Sequence, residues 1–170
     1  MTILGIDPGT ATTGYGVIEK IQSSRSKIQN SGLRYVDCGC IETPKTKTAG
    51  ERLALLERGL QNVIAKHSPN IVAVERLFFF KNLKTVMPVS EARGVILLTI
   101  AKKNLPVFEL TPLQAKMAIT GYGRAEKKQM QRMIKEILSI EKLPRQDDAS
   151  DALAMAIACA FHSTALSRAY

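Results

Sequence analysis

The chain holds 170 residues, with 24 Lys and Arg against 15 Asp and Glu and a formal net charge of +9. Hydrophobic residues make up 45% and charged residues 23%, the mix of a folded domain large enough to bury about 70% of its unfolded surface without disulfide or zinc staples. The longest uncharged apolar run, Gly94–Ala101, falls far short of the roughly 18–20 residues of a membrane span, and Asp7 interrupts the N-terminal apolar stretch before it can read as a signal peptide.

In chain order, Thr2–Ile6 reads as a strand ending at the Asp7-Pro8-Gly9 turn. Gly14–Glu19 reads as a second strand, close enough to form a hairpin with the first around Pro8–Thr13. A polar loop at Gln22–Ser31 leads to a third strand, Leu33–Thr43. Thr48 opens a helix in which Leu53, Leu56, Leu60, Val63, Ile64 and His67 recur at helical spacing until Ser68-Pro69-Asn70 stops it. Ile71–Val74 is apolar without a break, as a centre strand covered on both faces should be. Ser90 is placed to cap a helix running to about Lys103, and Val107–Leu110 is a short strand. Helices follow at Pro112–Ile119 and Glu126–Leu138, separated by Gly121-Tyr122-Gly123. The last helix, Asp148–Ser163, is rich in alanine and suited to close packing on a sheet. Three strands on short loops, then helix, strand, helix, strand and helices, predict an α/β fold. It is a mixed sheet of about five strands, the first three antiparallel, flanked by α-helices. No linker or repeat divides residues 1–170, which read as a single domain.

The three cysteines, an odd number, suit a reducing, cytoplasmic setting. Cys38-Gly39-Cys40 has no second pair, and His67 and His162 are far from it in sequence, so a metal in this chain would be held by oxygen rather than by sulfur.

The positive charge is concentrated. Between Arg76 and Lys135 stand 12 basic residues against only Glu91, Glu109 and Glu126, a net +9, and the rest of the chain is neutral at 12 against 12. A segment that carries the whole excess is the footprint of a polyanion partner. A basic face kept for solubility is the plain alternative. A membrane surface fits less well, because the segment lacks a lysine-rich amphipathic helix with an aromatic face.

The carboxylates have an arrangement of their own. Asp7 follows the first strand and Glu75 the fourth, while Asp148 and Asp151 stand three apart near the start of the last helix, on one face. Each alone has a structural reading, as a turn residue or as a first-turn acid favoured by the helix dipole. Together they would repel one another and rise in pKa unless a cation neutralised them. Hard divalent cations of the magnesium type suit such oxygen ligands, and two of them would support phosphodiester hydrolysis. The Gly9–Gly16 loop also suggests an ATPase, but such folds need two lobes, and no Walker lysine motif is present.

Four blocks in order, GIDPGT…TGYGV at Gly5–Val17, VER-L-F at Val74–Phe78, EARG at Glu91–Gly94 and DASDALA at Asp148–Ala154, resemble the RuvC family of the RNase H-like superfamily. The resemblance implies a homodimeric Holliday-junction resolvase, an endodeoxyribonuclease of homologous recombination and repair. It would use Mg²⁺ or Mn²⁺, two per active site, to make paired symmetric nicks in four-way DNA, leaving 5′-phosphate and 3′-hydroxyl ends. It further implies that Asp7, Glu75, Asp148 and Asp151 are the catalytic metal ligands. Lys116 and Lys127 would lie near DNA and the scissile phosphate, and Phe78 would contact unpaired bases, where any base can stack on its ring. Arg76, Lys81 and Lys84 around Phe78-Phe79-Phe80 suit a DNA-facing loop, although an aromatic run of this kind also serves as core. A RuvAB-like branch-migration complex is a further implied partner. The helix Ser90–Lys103, with Ala92, Val95, Ile96, Leu97 and Ile100 and with Gly94 allowing close approach, reads as a dimer interface or as a buried helix. Departures are Asp147 beside Asp148, a long Gln22–Leu33 loop, and the Cys38/Cys40 pair. The competing readings are an RNase H-like nuclease for another nucleic acid and a branched-DNA-binding module that does not cut.

Overall fold

The pleat of the strands determines which side chains can meet at the sheet's edge. A computed structural model of the chain describes residues 1–21, 32–76 and 83–167. It contains strands β1 (Thr2–Asp7), β2 (Thr12–Lys20), β3 (Leu33–Glu42), β4 (Ile71–Glu75) and β5 (Val107–Leu110). The helices are α1 (Ala49–His67), α2 (Leu83–Lys102), α3 (Pro112–Thr120), α4 (Lys127–Leu138) and α5 (Asp147–Ser167). The sheet runs β3-β2-β1-β4-β5. β1, β2 and β3 pair antiparallel in succession, and β4 joins β1 and then β5 in parallel. This is the mixed five-stranded α/β sheet expected, with its first three strands antiparallel. No helix among the described residues is long and apolar enough to cross a membrane.

Two apolar layers enclose the sheet. Leu4, Ile6, Val17, Val72 and Val74 pack with Leu56 and Leu60 of α1 and Ala92, Ile96 and Ile100 of α2. Ile3, Ile18, Ala73 and Leu110 pack on the other face with the buried residues of α3, α4 and α5. Successive side chains on a strand point to opposite faces. Asp7 therefore shares the face of Ile3 and Gly5, and Glu75 shares that of Ala73, both on the α5 side. The parallel register sets Ile6 beside Val74, so the two acids that follow end their strands level with each other.

Helix α5 comes unusually close to this face. A Cβ added at Gly5 would stand 2.0 Å from the Ala152 carbonyl oxygen, and one at Gly14 would stand 2.0 Å from that of Asp148. Only glycine admits the helix backbone at these two points. Ala149, Ala152 and Ala156, each at 0% exposure, keep the helix side of the contact equally thin.

Helix ends follow local chemistry. Thr48 caps α1 through a reciprocal capping box with Glu51, and Thr111 caps α3 the same way with Gln114. Helix α2 departs from expectation. It begins at Leu83, runs through Pro88, and leaves Ser90 in mid-helix with its Oγ buried and without a hydrogen-bond partner. Pro88 lies beyond the first turn of α2, so the helix forgoes one i→i−4 hydrogen bond there. The expected Gln22–Ser31 loop lies outside the described residues. All three cysteines are free thiols.

Replacing Gly5 by Ala should lower the unfolding free energy by roughly 1–3 kcal/mol or more, because backbone rather than a flexible side chain must move. Urea denaturation measures it, and an unchanged midpoint would mean that α5 does not rest on β1.

Candidate active site

Three elements carry the acidic residues. Asp7 and Glu75 end β1 and β4, and Asp148 and Asp151 occupy the first turns of α5, which the Gly14 contact holds over the same strand ends. The side chains of Asp7 and Glu75 are hydrogen bonded to each other. Two carboxyl groups can do this only when one carries a proton. Burial, then the Glu75 charge and hydrogen bond, then the charges of Asp151 and Asp148, push the Asp7 carboxyl well above the usual carboxylate range. Burial also raises Glu75, while the hydrogen bond from Asp7 acts in the opposite sense. Burial raises Asp151 too, against the nearby positive charges of Lys127 and Lys116.

This is one anionic site, but not a closed cage. Among the described residues no three His, Cys, Asp or Glu side chains stand together as a ready-made cation site. Asp7 and Glu75 instead share a proton where charge neutralisation is needed. The donors on these four residues are all carboxylate oxygens, which fits a hard divalent cation and does not fit a soft metal.

The two lysines named from sequence are also brought to the site. Lys116 of α3 and Lys127 of α4 line, with Glu75 and Asp151, one cavity beside the acids. Lys127 is the first residue of α4, and no acid occupies that helix's first turn. The N-cap Glu126, just before it, offsets a cation at the positive end of the helix dipole. Asp147 adds a second anion, with its carboxylate 2.8 Å from Lys127 Nζ. The extra acid beside Asp148 is thus paired with a lysine on the exposed rim. Phe78 and Lys81 lie outside the described residues, as does the side chain of Lys84.

Two arginines that received no role from the sequence brace the site. Arg52 of α1 donates from Nη2 to the Thr10 carbonyl oxygen at 2.6 Å and from Nε to Thr43 Oγ1 at 3.0 Å. Thr43 Oγ1 in turn donates to Thr10 O at 2.7 Å, and Thr13 Oγ1 donates to Gly9 O at 2.9 Å. The turn that follows Asp7 is therefore fastened from two sides. Arg93, in the EARG block, pairs with Glu109 of β5, and Glu109 also accepts from Arg76 at 3.3 Å. Arg76 directly follows Glu75, and its N–H bonds to Leu110 O at 2.7 Å, so this network fixes the end of β4. A basic residue one position past a strand-end acid was the available signal. Its partially exposed partner, Glu109, was not visible in the sequence.

A mixed sheet whose strand-end carboxylates face an acidic helix start, with lysines alongside, defines the nuclease class of the RNase H-like α/β fold. The family model described as crossover junction endodeoxyribonuclease RuvC matches residues 3–159. A crossover junction endodeoxyribonuclease RuvC of Syntrophomonas wolfei is 49% identical over 167 residues, covering 98% of this chain and 92% of its own. Among solved structures, Thermus thermophilus RuvC superposes with a TM-score of 0.85 at 29% identity, covering 97% of this chain and 96% of that one. The same Thermus protein in complex with a Holliday junction substrate gives 0.84 at 29% identity, over 96% and 94% of the two chains. The chain belongs to the RuvC family.

The raised Asp7 carboxyl has a sign that can be tested. A group whose folded pKa lies above its ordinary 3.8 contributes stability present below that value and lost as pH rises through the raised folded value. In metal-free protein, Asp7→Asn should therefore gain thermal stability relative to the natural chain between pH 5 and pH 8. Added Mg²⁺ should favour the natural chain instead. A difference that stays constant across that pH range would contradict the shared-proton arrangement.

Proposed function

We propose that this chain is a metal-dependent crossover junction endodeoxyribonuclease that resolves four-way DNA junctions, with Asp7, Glu75, Asp148 and Asp151 as its metal-binding catalytic residues. The observation that carries this reading is the hydrogen-bonded Asp7–Glu75 pair beneath the start of α5, inside a family whose members bear that activity by name. Mg²⁺ or Mn²⁺, two per site, when bound to these carboxylates, would supply charge neutralisation and Lewis-acid polarisation of a phosphodiester. The chain's own residues do the rest. Asp7 and Glu75 give up their shared proton on loading. Asp148 and Asp151 add negative charge from the helix. Lys116 and Lys127 hold the strand phosphate, and Asp147 restrains Lys127 until DNA competes for it. The products would be 5′-phosphate and 3′-hydroxyl ends.

The net charge of +9 between Arg76 and Lys135 supports a polyanionic substrate. Phe78 and Lys81, and Lys84, which lies at the start of α2 rather than in the loop expected, remain part of the proposal as residues that meet the junction DNA. A homodimer would place one site on each of two symmetric strands. Here the packing favours a different face of α2 from the one expected. Ala92, Ile96 and Ile100 fill the subunit's own core, whereas Met87 and Leu98 are 68% and 54% exposed, with open space above Gly94 between them. That outer stripe is the surface we assign to the partner copy. The free thiols and the absence of a spanning helix among the described residues accord with a cytoplasmic setting.

The test incubates the protein with labelled four-way junction, linear duplex and RNA–DNA hybrid, each with Mg²⁺ or a chelator. Paired nicks are expected in the junction only and with metal only, both made within the lifetime of one complex. Asp7→Asn should bind the junction with unchanged affinity and nick it at less than about one-hundredth of the natural rate. Equal cutting of the hybrid would support the other-nucleic-acid reading, and normal nicking by Asp7→Asn would remove that residue from the mechanism.

A further inference from the structure

Next to the carboxylates, α3, α4 and α5 surround a cavity of about 240 Å³, part of whose wall has no role in the chemistry above. Glu75 and Asp151 line it on the acidic side, with Lys116 and the half-exposed Lys127. Its remaining wall is apolar, with Met130 from α4 and Ala154 and Met155 from α5. Two uncharged polar side chains also line it, Gln131 and Ser150. Ser150 is only 2% exposed, and its Oγ is buried without a hydrogen-bond partner. A buried hydroxyl left unpaired is a cost that a bound ligand would remove.

The composition of the wall selects the ligand. A phosphate would stay with the lysines and the cation site, because thioether and methyl groups offer it nothing. A flat heterocycle suits the remainder, with its faces against methionine and alanine and its edge toward an amide and a hydroxyl. A space of this size admits one base or sugar ring. The nucleotide must then be unstacked, which is least costly where pairing is already interrupted, as at the centre of a junction. The Gln131 amide presents a donor and an acceptor together, the arrangement that discriminates among base edges.

We propose that this cavity receives the base of a nucleotide adjoining the scissile phosphate, and that Gln131 and Ser150 are specificity-determining residues that read its edge. The inference rests on the nuclease reading above and adds the part of the substrate that the carboxylates do not touch.

The test measures single-turnover nicking, at saturating protein and with Mg²⁺, on junctions that differ only in the base at each of the two nucleotides flanking the cut. The natural chain should show about a tenfold spread of rates among the four bases at one of these positions. An abasic nucleotide there should bring the rate down to that of the poorest base. Gln131→Ala should compress the spread to within about threefold, with junction affinity and thermal midpoint unchanged, and Ser150→Ala should compress it less. Gln131→Leu, which keeps the bulk and loses the amide, should behave like Gln131→Ala. Equal rates for all bases at both positions in the natural chain would overturn the cavity assignment while leaving the nuclease reading intact. So would a full spread retained by both Gln131 variants. A natural chain that nicks none of the junctions would overturn the parent reading and this one with it.

Discussion

The constraint on which the site depends is the close approach of one helix backbone to two strands. Helix α5 carries two of the four acids, and the other two end β1 and β4 on the face it covers. With side chains of ordinary size at Gly5 and Gly14, the helix would stand off from the sheet, and Asp148 and Asp151 would move away from Asp7. Alanines on the helix and glycines on the strands act as one device. They sacrifice side-chain burial at the centre of the molecule in exchange for proximity at its edge, and the layers on both sides make up the lost apolar area.

That proximity has an electrostatic consequence. Asp7, Glu75 and Asp151, gathered in a partly buried place, resist ionisation, and the Asp7–Glu75 hydrogen bond relieves the repulsion by holding a proton. The same repulsion makes the site receptive to any small cation able to replace that proton. Cationic side chains are near, but their arrangement separates functions. Lys116 and Lys127 line the adjoining cavity, while Arg93 and Arg76 are engaged with Glu109 and serve the end of β4. Arg52 likewise fastens the turn after Asp7. The basic character of the middle of the chain is therefore divided between groups that can meet a phosphate and groups that stabilise the strand ends.

Much of this was legible in the sequence, for physical reasons. The strands announce themselves as apolar runs ended by Asp7 and Glu75, and a one-residue slip would have turned either acid to the opposite face. Thr48 and Thr111 mark helix starts with side chains that bond locally, and Gly121 marks a helix end with its left-handed backbone, so those boundaries could be read without tertiary information. Helix α2 could not be read in the same way, because Ser90 looks like a cap until packing against α1 decides otherwise. The interface residues chosen on α2 divided by burial, which depends on where the sheet lies rather than on spacing. Arg52, Arg93 and the Gln131–Ser150 cavity were invisible for a related reason. Each depends on partners from elements distant in sequence, and a polar residue on a helix gives no sign of which neighbour it will meet.

The most direct measurement of the central claim is anomalous X-ray scattering from crystals of the protein equilibrated with Mn²⁺. The account predicts manganese in direct contact with carboxylate oxygens of Asp7 and Glu75, bordered by Asp148 and Asp151. Manganese bound only elsewhere on the chain, with the Asp7–Glu75 hydrogen bond still intact, would contradict it.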